Sequence, residues 1–378
     1  MDTYNLIATT AMGIESIAAN EIKKLGYECT VENGKVMFKG DELAIARTNM
    51  WLRTADRIKI VVGEFKASTF DELFEKTKAL RWEDYLPVDA EFPVQGKSVK
   101  STLYSVPDCQ AIVKKAIVER LKSSYKQTTW LAETGPLFKI EISLLKDKAT
   151  LTLDTSGAGL HKRGYRIDQG EAPIKETLAA ALIQLTNWYP DRPLHDPFCG
   201  SGTIPIEAAL IGQNIAPGFN REFLSETWPW MNKDIWEKVR EETEDLANYD
   251  QHLEITGSDI DHRMIDISVK NAFEAGLGEL VSFKQMRASD YTTKKDYGVI
   301  IGNPPYGERI GDKKEVEIMY QEIGKAFKNL DTWSIYILTS HPEFENLYGK
   351  QATKKRKLFN GFIRTDYYQF WGPRPPRS

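Results

Sequence analysis

The sequence of 378 residues contains only three cysteines and no long apolar run. Cys29, Cys109 and Cys199 lie far apart, with no CxxC pair and no cluster with histidine, so neither a disulfide framework nor a structural zinc site is predicted. No apolar stretch reaches the roughly 18 residues that a membrane-spanning helix needs, and the N-terminus lacks the basic region of a signal peptide. We therefore expect a cytoplasmic protein with reduced thiols, no bound metal and no membrane partner.

A strong charge of either sign is also missing, since the formal net charge is −4. This value argues against a protein that coats nucleic acid through its bulk charge, but it does not exclude a local basic surface. With 41% apolar and 28% charged residues the composition is that of a globular protein, and the length suffices for two or three domains.

Two small α/β modules are predicted in the N-terminal half. Residues 1–65 follow the order β-α-β-β-α-β, with Asn33-Gly34 as a hairpin turn, which is the order of a ferredoxin-like module. Residues 66–155 predict helices over 70–80 and 108–123, followed by two alternating strands. The glycine-rich and charged segment that follows, 156–172, is interpreted as a linker.

From residue 173 to the C-terminus, continuous apolar strands alternate with amphipathic helices. This pattern predicts an α/β domain with a mostly parallel, doubly wound sheet, and a hairpin around Asn360-Gly361 adds an antiparallel edge. The stretch between the first two strands exceeds a simple βαβ connection, so we predict a partly helical insertion over 214–250 with a solvated acidic helix.

A glycine-rich turn, HDPFCGSGT, follows the first of these strands. Asp196, Gly200 and Gly202 fit the pattern D-x-F-x-G-x-G, in which glycines let the backbone turn tightly and approach a ligand. The turn is not a P-loop, because no GK[ST] follows, nor the dinucleotide G-x-G-x-x-G, because position 205 is proline. A purely structural turn is the alternative.

Acidic residues end the next two strands. Asp259, in GSDID, is placed to accept hydrogen bonds from ribose hydroxyls, and Asp290, in RASDY, could accept from an adenine amino group. Each alone could be a solvated loop acid or a helix cap. In order at successive strand ends, and with no phosphate-binding element, they predict a site for a nucleoside without phosphates.

The fourth strand ends in NPPYGER. The Asn303 side-chain oxygen and the Pro304 carbonyl could accept both N–H bonds of a base amine and so orient its lone pair toward an electrophile. Pro304 and Pro305 would stiffen the loop, and Tyr306 offers a face on which a splayed-out base could stack. A rigid turn that only closes a strand is the alternative.

DPFCGSGT, GSDID, ASDY and NPPYGER, in this order, resemble motifs of class I S-adenosylmethionine-dependent amino-methyltransferases. Together with HKRGYR and APGFNREF they look like the guanine-N2 RNA methyltransferases that carry a THUMP domain. One glycine turn and one NPPY indicate a single-methyltransferase-domain relative of the large-subunit rRNA enzymes. The resemblance implies a Rossmann-like methyltransferase domain over 173–378, and a ferredoxin-like module and THUMP domain over 1–65 and 66–155 that bind RNA.

The resemblance also implies functional residues and a cofactor, S-adenosylmethionine. Asn303, Pro304, Pro305 and Tyr306 would position the amine. The cofactor would contact a set of residues at the three preceding strand ends: Asp196, Phe198, Gly200, Gly202, Thr203, Asp259, Ile260 and Asp290.

Basic residues are concentrated in two stretches that could contact RNA. Residues 350–378 contain eight lysines and arginines against one acid, enough for phosphate contacts, although a solvated edge hairpin would look the same. The residues predicted to bind RNA, in HKRGYR and near the C-terminus, are Lys162, Arg163, Arg166, Lys354, Lys355 and Arg356.

The predicted reaction is direct in-line attack of a base amine on the cofactor methyl group, without a metal or a covalent enzyme intermediate. The resemblance implies guanine N2 in rRNA or tRNA as the target, although NPPY itself also suits adenine. Two alternatives stay open: a DNA adenine-N6 methyltransferase, and a non-catalytic RNA-binding or assembly protein.

Overall fold

The computed structural model describes residues 3–167, 173–307 and 312–376. The chain divides into two compact units. The N-terminal unit comprises Met1–Thr10, Ala19–Leu160 and Arg221–Glu242, and the C-terminal unit comprises Ala11–Ala18, His161–Asn220 and Thr243–Ser378. Five positions of the predicted linker, 168–172, and Glu308 and Arg309 of NPPYGER lie outside the described residues.

The elements of the first 154 residues are β1 (Tyr4–Thr9), α1 (Glu15–Lys24), β2 (Cys29–Glu32), β3 (Lys35–Gly40), α2 (Glu42–Trp51), β4 (Arg57–Lys66), α3 (Phe70–Ala79), β5 (Val94–Val99), α4 (Val106–Tyr125), β6 (Lys139–Leu145) and β7 (Lys148–Asp154). Those that follow are α5 (Glu176–Gln184), β8 (Leu194–Asp196), α6 (Thr203–Gly212), α7 (Lys233–Leu246), β9 (Ile255–Asp259), α8 (His262–Glu274), β10 (Val281–Gln285), β11 (Val299–Gly302), α9 (Asp312–Phe327), β12 (Ser334–Thr339), α10 (Phe344–Tyr348), β13 (Lys354–Asn360) and β14 (Ile363–Phe370).

The N-terminal unit is built on one sheet rather than two. Strands β1 to β4 pair antiparallel in the order β2-β3-β1-β4, the predicted ferredoxin-like arrangement. Strand β4 then pairs with β7, so the sheet continues as β7-β6-β5, within the described residues. The two predicted modules therefore share a hydrogen-bonded sheet, which sequence periodicity could not reveal because β4 and β7 are far apart in the chain.

The predicted insertion belongs to the core of the N-terminal unit over much of its length. The Trp228 ring stacks on Phe138 with centroids 4.7 Å apart, and its indole N–H donates to the Leu137 carbonyl at 2.9 Å. Trp228 and Trp236 are both buried. The acidic face of α7 is exposed, as predicted, whereas the opposite face of the segment completes an apolar core that the sequence did not reveal.

The C-terminal unit has the predicted doubly wound sheet, with the strand order β10-β9-β8-β11-β12-β14-β13 among the described residues. The first five strands are parallel, while β14 runs antiparallel to β12 and β13 antiparallel to β14. Strands β9 and β10 are added on one side of β8 and β11 and β12 on the other, so the strand order switches at β8 and the carboxyl ends of β8, β9 and β11 meet at one edge. In open α/β sheets this is the edge where ligands bind.

The β13–β14 hairpin turns one residue later than the Asn-Gly pair suggests. Asn360 pairs with Ile363 as the last rung of the ladder, so Gly361 and Phe362 form the turn. Gly361 has φ +62°, a conformation that favours glycine. Asn360 is therefore a strand residue, and Phe362 is fully exposed at the tip.

Among the described helices, none combines the length and apolar character that crossing a membrane would require.

Candidate active site

The glycine turn after β8 is held by its own acid. The Asp196 carboxylate accepts a hydrogen bond from the Phe198 backbone N–H at 2.9 Å. Asp196 is only 1% exposed, and burial raises its pKa well above the usual range, with the charge of Asp259 acting in the same direction. Asp196 therefore shapes the turn from within the protein. Gly200 and Gly202 have φ values of +50° and +85°, and α6 begins at Thr203.

Asp259, at the end of β9, is joined to this turn. One carboxylate oxygen accepts the Gly200 N–H at 3.0 Å, and the other accepts the Asp261 N–H at 2.9 Å. Burial raises the pKa of Asp259. Because each carboxylate oxygen has two lone pairs, the group keeps capacity for a further donor such as a ribose hydroxyl.

The space in front of Gly200 is open enough to admit a ligand. A Cβ atom built on Gly200 would meet no heavy atom within 4 Å. Ile260 is 66% exposed directly after Asp259, and Asp290 is exposed at the end of a short 3-10 turn, Ala288–Asp290. An open glycine backbone, a half-buried carboxylate, an exposed apolar side chain and a second acid fit the donors and faces of a nucleoside.

Phe198 connects the glycine turn with the NPPYG loop, residues 303–307. A Cβ atom on Gly302, the last residue of β11, would lie 3.1 Å from the Phe198 ring. Glycine at this position therefore allows the ring to pack against the strand immediately before Asn303. The predicted cofactor residue and the predicted amine-positioning residue are thus neighbours in space.

Tyrosine hydroxyls fix two points of the NPPYG loop. The Tyr306 hydroxyl donates to Asn303 Oδ1 at 2.6 Å and accepts from Asn360 Nδ2 at 3.2 Å. The Tyr320 hydroxyl donates to the Pro305 carbonyl at 2.8 Å and lies 2.8 Å from Thr339 Oγ1. Within the described part of the chain, no protein hydrogen bond to the Pro304 carbonyl is found. This carbonyl is one of the two predicted amine acceptors.

Asn360 and Tyr320 were missed by sequence reasoning, because nothing near them in the sequence marks them. Tyr320 lies inside the apolar stripe of α9, and Asn360 resembles an ordinary turn residue.

Burial lowers the pKa of His195 to about 3, so this histidine is neutral and serves in packing, stacked 3.7 Å from the Tyr291 ring. It is therefore not a candidate general base.

The predicted RNA contact is wrong for Arg163. Its guanidinium forms an ion pair with Glu207 at 3.2 Å, and the two side chains are 2% and 0% exposed. The Tyr165 hydroxyl donates to the same carboxylate at 3.0 Å. A fully buried arginine cannot reach a phosphate group, so this part of the predicted linker belongs to the core of the C-terminal unit.

Arg166 and Thr203 also act within the protein. Arg166 donates to Thr203 Oγ1 at 2.8 Å and pairs with Glu176 at 3.2 Å. Thr203 is buried, so its hydroxyl supports the start of α6 rather than an exposed cofactor site. The predicted RNA contact is also wrong for Arg166, because its side chain is only 15% exposed and its guanidinium is held between Glu176 and Thr203. Lys162 remains exposed.

The C-terminal basic residues line a groove of about 330 Å³ at the far end of the hairpin. Lys354 begins β13 and pairs with Gln369 near the end of β14. The next residue, Phe370, pairs with Ile335 near the start of β12, so the groove lies at the edge where the parallel strands begin. The NPPYG loop lies at the opposite, carboxyl edge. The groove combines cations with a half-exposed tryptophan, and its lining includes Lys354, Arg356, Arg374, Trp371 and Gln369. Lys355 is exposed and pairs with Glu345 at 2.8 Å.

Neither metal chemistry nor thiol chemistry is indicated by the described residues. They contain no group of three or more histidine, cysteine, aspartate or glutamate side chains that could hold a metal ion. The three cysteines are free thiols. Burial strongly raises the pKa of Cys199, so the thiol in the glycine turn stays protonated and is a poor nucleophile.

Comparison with known families agrees with this arrangement. The model of the RMKL-like methyltransferase domain matches residues 163–369. The RlmL ferredoxin-like domain matches residues 5–59, and the THUMP domain matches residues 67–154. The chain belongs to the RMKL-like methyltransferase family. The motif resemblance and the fold class predicted from the sequence are thereby confirmed.

Relatives of this RMKL-like methyltransferase match along the whole chain. "Putative RNA methyltransferase YpsC" of Bacillus subtilis (strain 168) is 68% identical over 380 residues, covering 100% of this chain and 99% of the relative. The crystal structure of a protein from Listeria monocytogenes (str. 4b F2365) matches with a TM-score of 0.95 and 65% identity, covering 99% of this chain and 97% of that chain. That protein is described as a "predicted N6-adenine-specific DNA methylase".

A third relative, SMU.472, was crystallised with S-adenosylhomocysteine (SAH). It is 54% identical, with a TM-score of 0.96 and full coverage of both chains. The names given to the relatives differ in the nucleic acid that they state, RNA in one and DNA in another.

Proposed function

We propose that this RMKL-like methyltransferase transfers a methyl group from S-adenosylmethionine directly to an exocyclic amine of an RNA base, with guanine N2 in rRNA or tRNA as the target. One observation carries the proposal. The half-buried Asp259 carboxylate, tied to Gly200, and the Asn303 carboxamide lie at the carboxyl ends of β9 and β11, the two strands that flank β8 in one parallel sheet. A nucleoside site and an amine-acceptor site therefore share one edge.

The residues around Gly200 suit the cofactor. S-adenosylmethionine supplies a methyl group that its sulfonium already activates. Asp259 would accept the ribose hydroxyls, and Ile260 and Asp290 would contact the adenine face and its amino group. The open backbone at Gly200 would allow the cofactor to lie close to the turn. The SAH bound in SMU.472 supports this choice of cofactor.

The NPPYG loop would orient the acceptor amine. Asn303 Oδ1 has one lone pair engaged by Tyr306, which leaves the second for an amine N–H. The Pro304 carbonyl would accept the other N–H bond. Because the amine of a nucleobase is delocalised into its ring, fixing both N–H bonds would direct its lone pair and contribute most of the acceleration. Tyr306 and the exposed Phe362 are aromatic faces near this loop.

RNA is favoured over DNA by the N-terminal unit. The THUMP match and the RNA methyltransferase name of the 68% identical relative both support an RNA substrate. Lys162, Lys354, Lys355 and Arg356 remain proposed phosphate contacts, with Arg374 added by the groove. The DNA adenine-N6 alternative is supported by the name of the Listeria relative and by the fact that NPPY suits adenine.

A methyl-transfer assay separates these functions. Purified full-length protein is incubated with tritiated S-adenosylmethionine and either total RNA or genomic DNA from cells that lack the gene. We expect label in RNA and none in DNA. Asn329→Ala, an exposed asparagine after α9, should retain full transfer, whereas Asn303→Ala should not. Label in DNA alone would establish the DNA alternative, and no cofactor binding by calorimetry would favour the non-catalytic one.

A further inference from the structure

We propose that Asn360 is a positioning residue for methyl transfer, acting through the Tyr306 hydroxyl on the Asn303 carboxamide. The catalytic consequence rests on the proposed function of Asn303. The hydrogen-bond chain itself can be tested without any substrate.

The two hydrogen bonds that link Asn360, Tyr306 and Asn303 have a defined direction from donor to acceptor. Asn360 Nδ2 donates to the Tyr306 oxygen at 3.2 Å, and Tyr306 donates to Asn303 Oδ1 at 2.6 Å. A phenol carries a single proton. Because an amide N–H occupies the phenol oxygen as donor, that proton points to Asn303, and the Asn303 atom facing it must be an acceptor.

This polarity matters because a carboxamide has two similar ends. If the Asn303 side chain rotated by half a turn, its NH₂ group would replace the oxygen and would oppose the N–H bonds of an incoming amine. Asn360 therefore holds the oxygen of Asn303 in the orientation that accepts. The second lone pair of Oδ1 remains for the substrate.

Turn chemistry does not explain the side chain at position 360. Asn360 is paired with Ile363 in the ladder, and the left-handed conformation of the turn belongs to Gly361. The sheet order β11-β12-β14-β13 brings the end of β13 to the same edge as the end of β11, so Asn360 meets a loop 54 residues before it in the chain.

The kinetic test uses variants that differ in hydrogen-bond polarity. Asn360→Asp has nearly the same shape but can only accept when ionised, so it should draw the Tyr306 proton away from Asn303. We expect kcat to fall about ten-fold in Asn360→Ala, and by more in Asn360→Asp, while KM for RNA and cofactor affinity stay within about two-fold.

Two further variants control for a structural effect. Asn33→Ala alters the exposed asparagine of the β2–β3 turn and should leave kcat unchanged. Tyr306→Phe removes both hydrogen bonds, so adding Asn360→Asp to it should cause no further loss. The RNA is the total RNA from cells that lack the gene. Additive effects, or full activity in Asn360→Asp, would overturn the proposal.

A substrate-free readout separates this proposal from the proposed function. In protein labelled with ¹⁵N-asparagine, the Asn303 side-chain amide resonance, assigned by its loss in Asn303→Gln, should shift in Asn360→Asp and Tyr306→Phe but not in Asn33→Ala. If the Asn303 resonance did not shift in these variants, the proposed hydrogen-bond link from Asn360 to Asn303 would be refuted, even if the protein methylates RNA. A shifted resonance with no labelling of any RNA by the wild-type protein would refute the proposed function and with it the catalytic role of Asn360.

Discussion

The backbone N–H of Gly200 donates to the Asp259 carboxylate at 3.0 Å, which joins the turn after β8 to the end of β9. Two motifs that are 59 residues apart are thereby parts of one structure. The bond also aligns the carboxylate toward the open space in front of the glycine. Asp259 is for this reason the residue on which we expect the proposed cofactor site to depend most.

Cofactor affinity should depend on the ionisation of Asp259. Burial raises its pKa, so the carboxylate becomes protonated at a higher pH than an exposed aspartate would, and the protonated form is a poorer acceptor for ribose hydroxyls. Affinity should be constant above this raised pKa and should fall as the pH decreases through it. Asp259→Asn, with nearly the same shape, should lose about 1.5 to 3 kcal/mol of binding free energy.

Calorimetry with SAH as the probe, at a series of pH values that decreases from neutral, checks this prediction. The Asp259→Asn variant should bind weakly with much less pH dependence. Equal dissociation constants for the variant and the wild type would contradict the ribose assignment.

Asn303→Ala should abolish methyl transfer while keeping the cofactor site intact. The expected loss in kcat is at least about 100-fold, the size seen when one preorganised hydrogen-bonding group is removed from an active site. The cofactor dissociation constant should change by no more than a few-fold, because Asn303 lies on the amine side of the site. Asn329→Ala is the matched control, and unchanged turnover in Asn303→Ala would be incompatible with its proposed role.

Breaking the buried ion pair between Arg163 and Glu207 should destabilise the C-terminal unit without a direct effect on RNA binding. Arg163→Ala leaves the Glu207 carboxylate buried and unpaired, which typically costs about 3 to 5 kcal/mol. Urea unfolding measures this loss. Arg263→Ala, which removes an exposed partner of Asp261, should leave stability unchanged. If Arg163→Ala weakened RNA binding while its free energy of unfolding matched the wild type, the burial argument would fail.

The cationic groove offers a test of the proposed phosphate contacts. Combining Lys354→Glu with Arg374→Glu should weaken RNA binding and reduce the salt dependence, by about 0.7 in the slope of log K against log salt concentration for each lost single-strand contact. Arg356 is unsuitable for this purpose because it donates to the Gly13 carbonyl at 2.8 Å. The control is Lys270→Glu on the exposed face of α8. An unchanged salt slope would place the RNA elsewhere.

The sequence predicted the order of strands and helices, because buried parallel strands are continuous apolar runs and helices keep their periodicity. It also placed Asp196, Gly200, Asp259 and Asn303 at strand ends that the sheet order then brings together. The role of each as a ligand residue stays a prediction.

Other features depend on partners that are distant in the chain. HKRGYR reads as a basic surface segment until Glu207 is found beside Arg163. The acidic insertion appears solvated until Trp228 is seen on Phe138. Asn360 resembles a turn residue because Asn-Gly is a common turn pair. In each case a local pattern was overridden by a tertiary contact.

The most direct test of the central claim is to identify the methylated nucleoside. RNA from cells with and without the gene is digested and compared by mass spectrometry, with the wild-type or Asn303→Ala protein restored in separate strains. We predict that N2-methylguanosine at one position is absent without the gene, returns with the wild-type protein and does not return with Asn303→Ala. Unaltered RNA nucleosides, together with a loss of N6-methyladenine from DNA, would contradict the proposal.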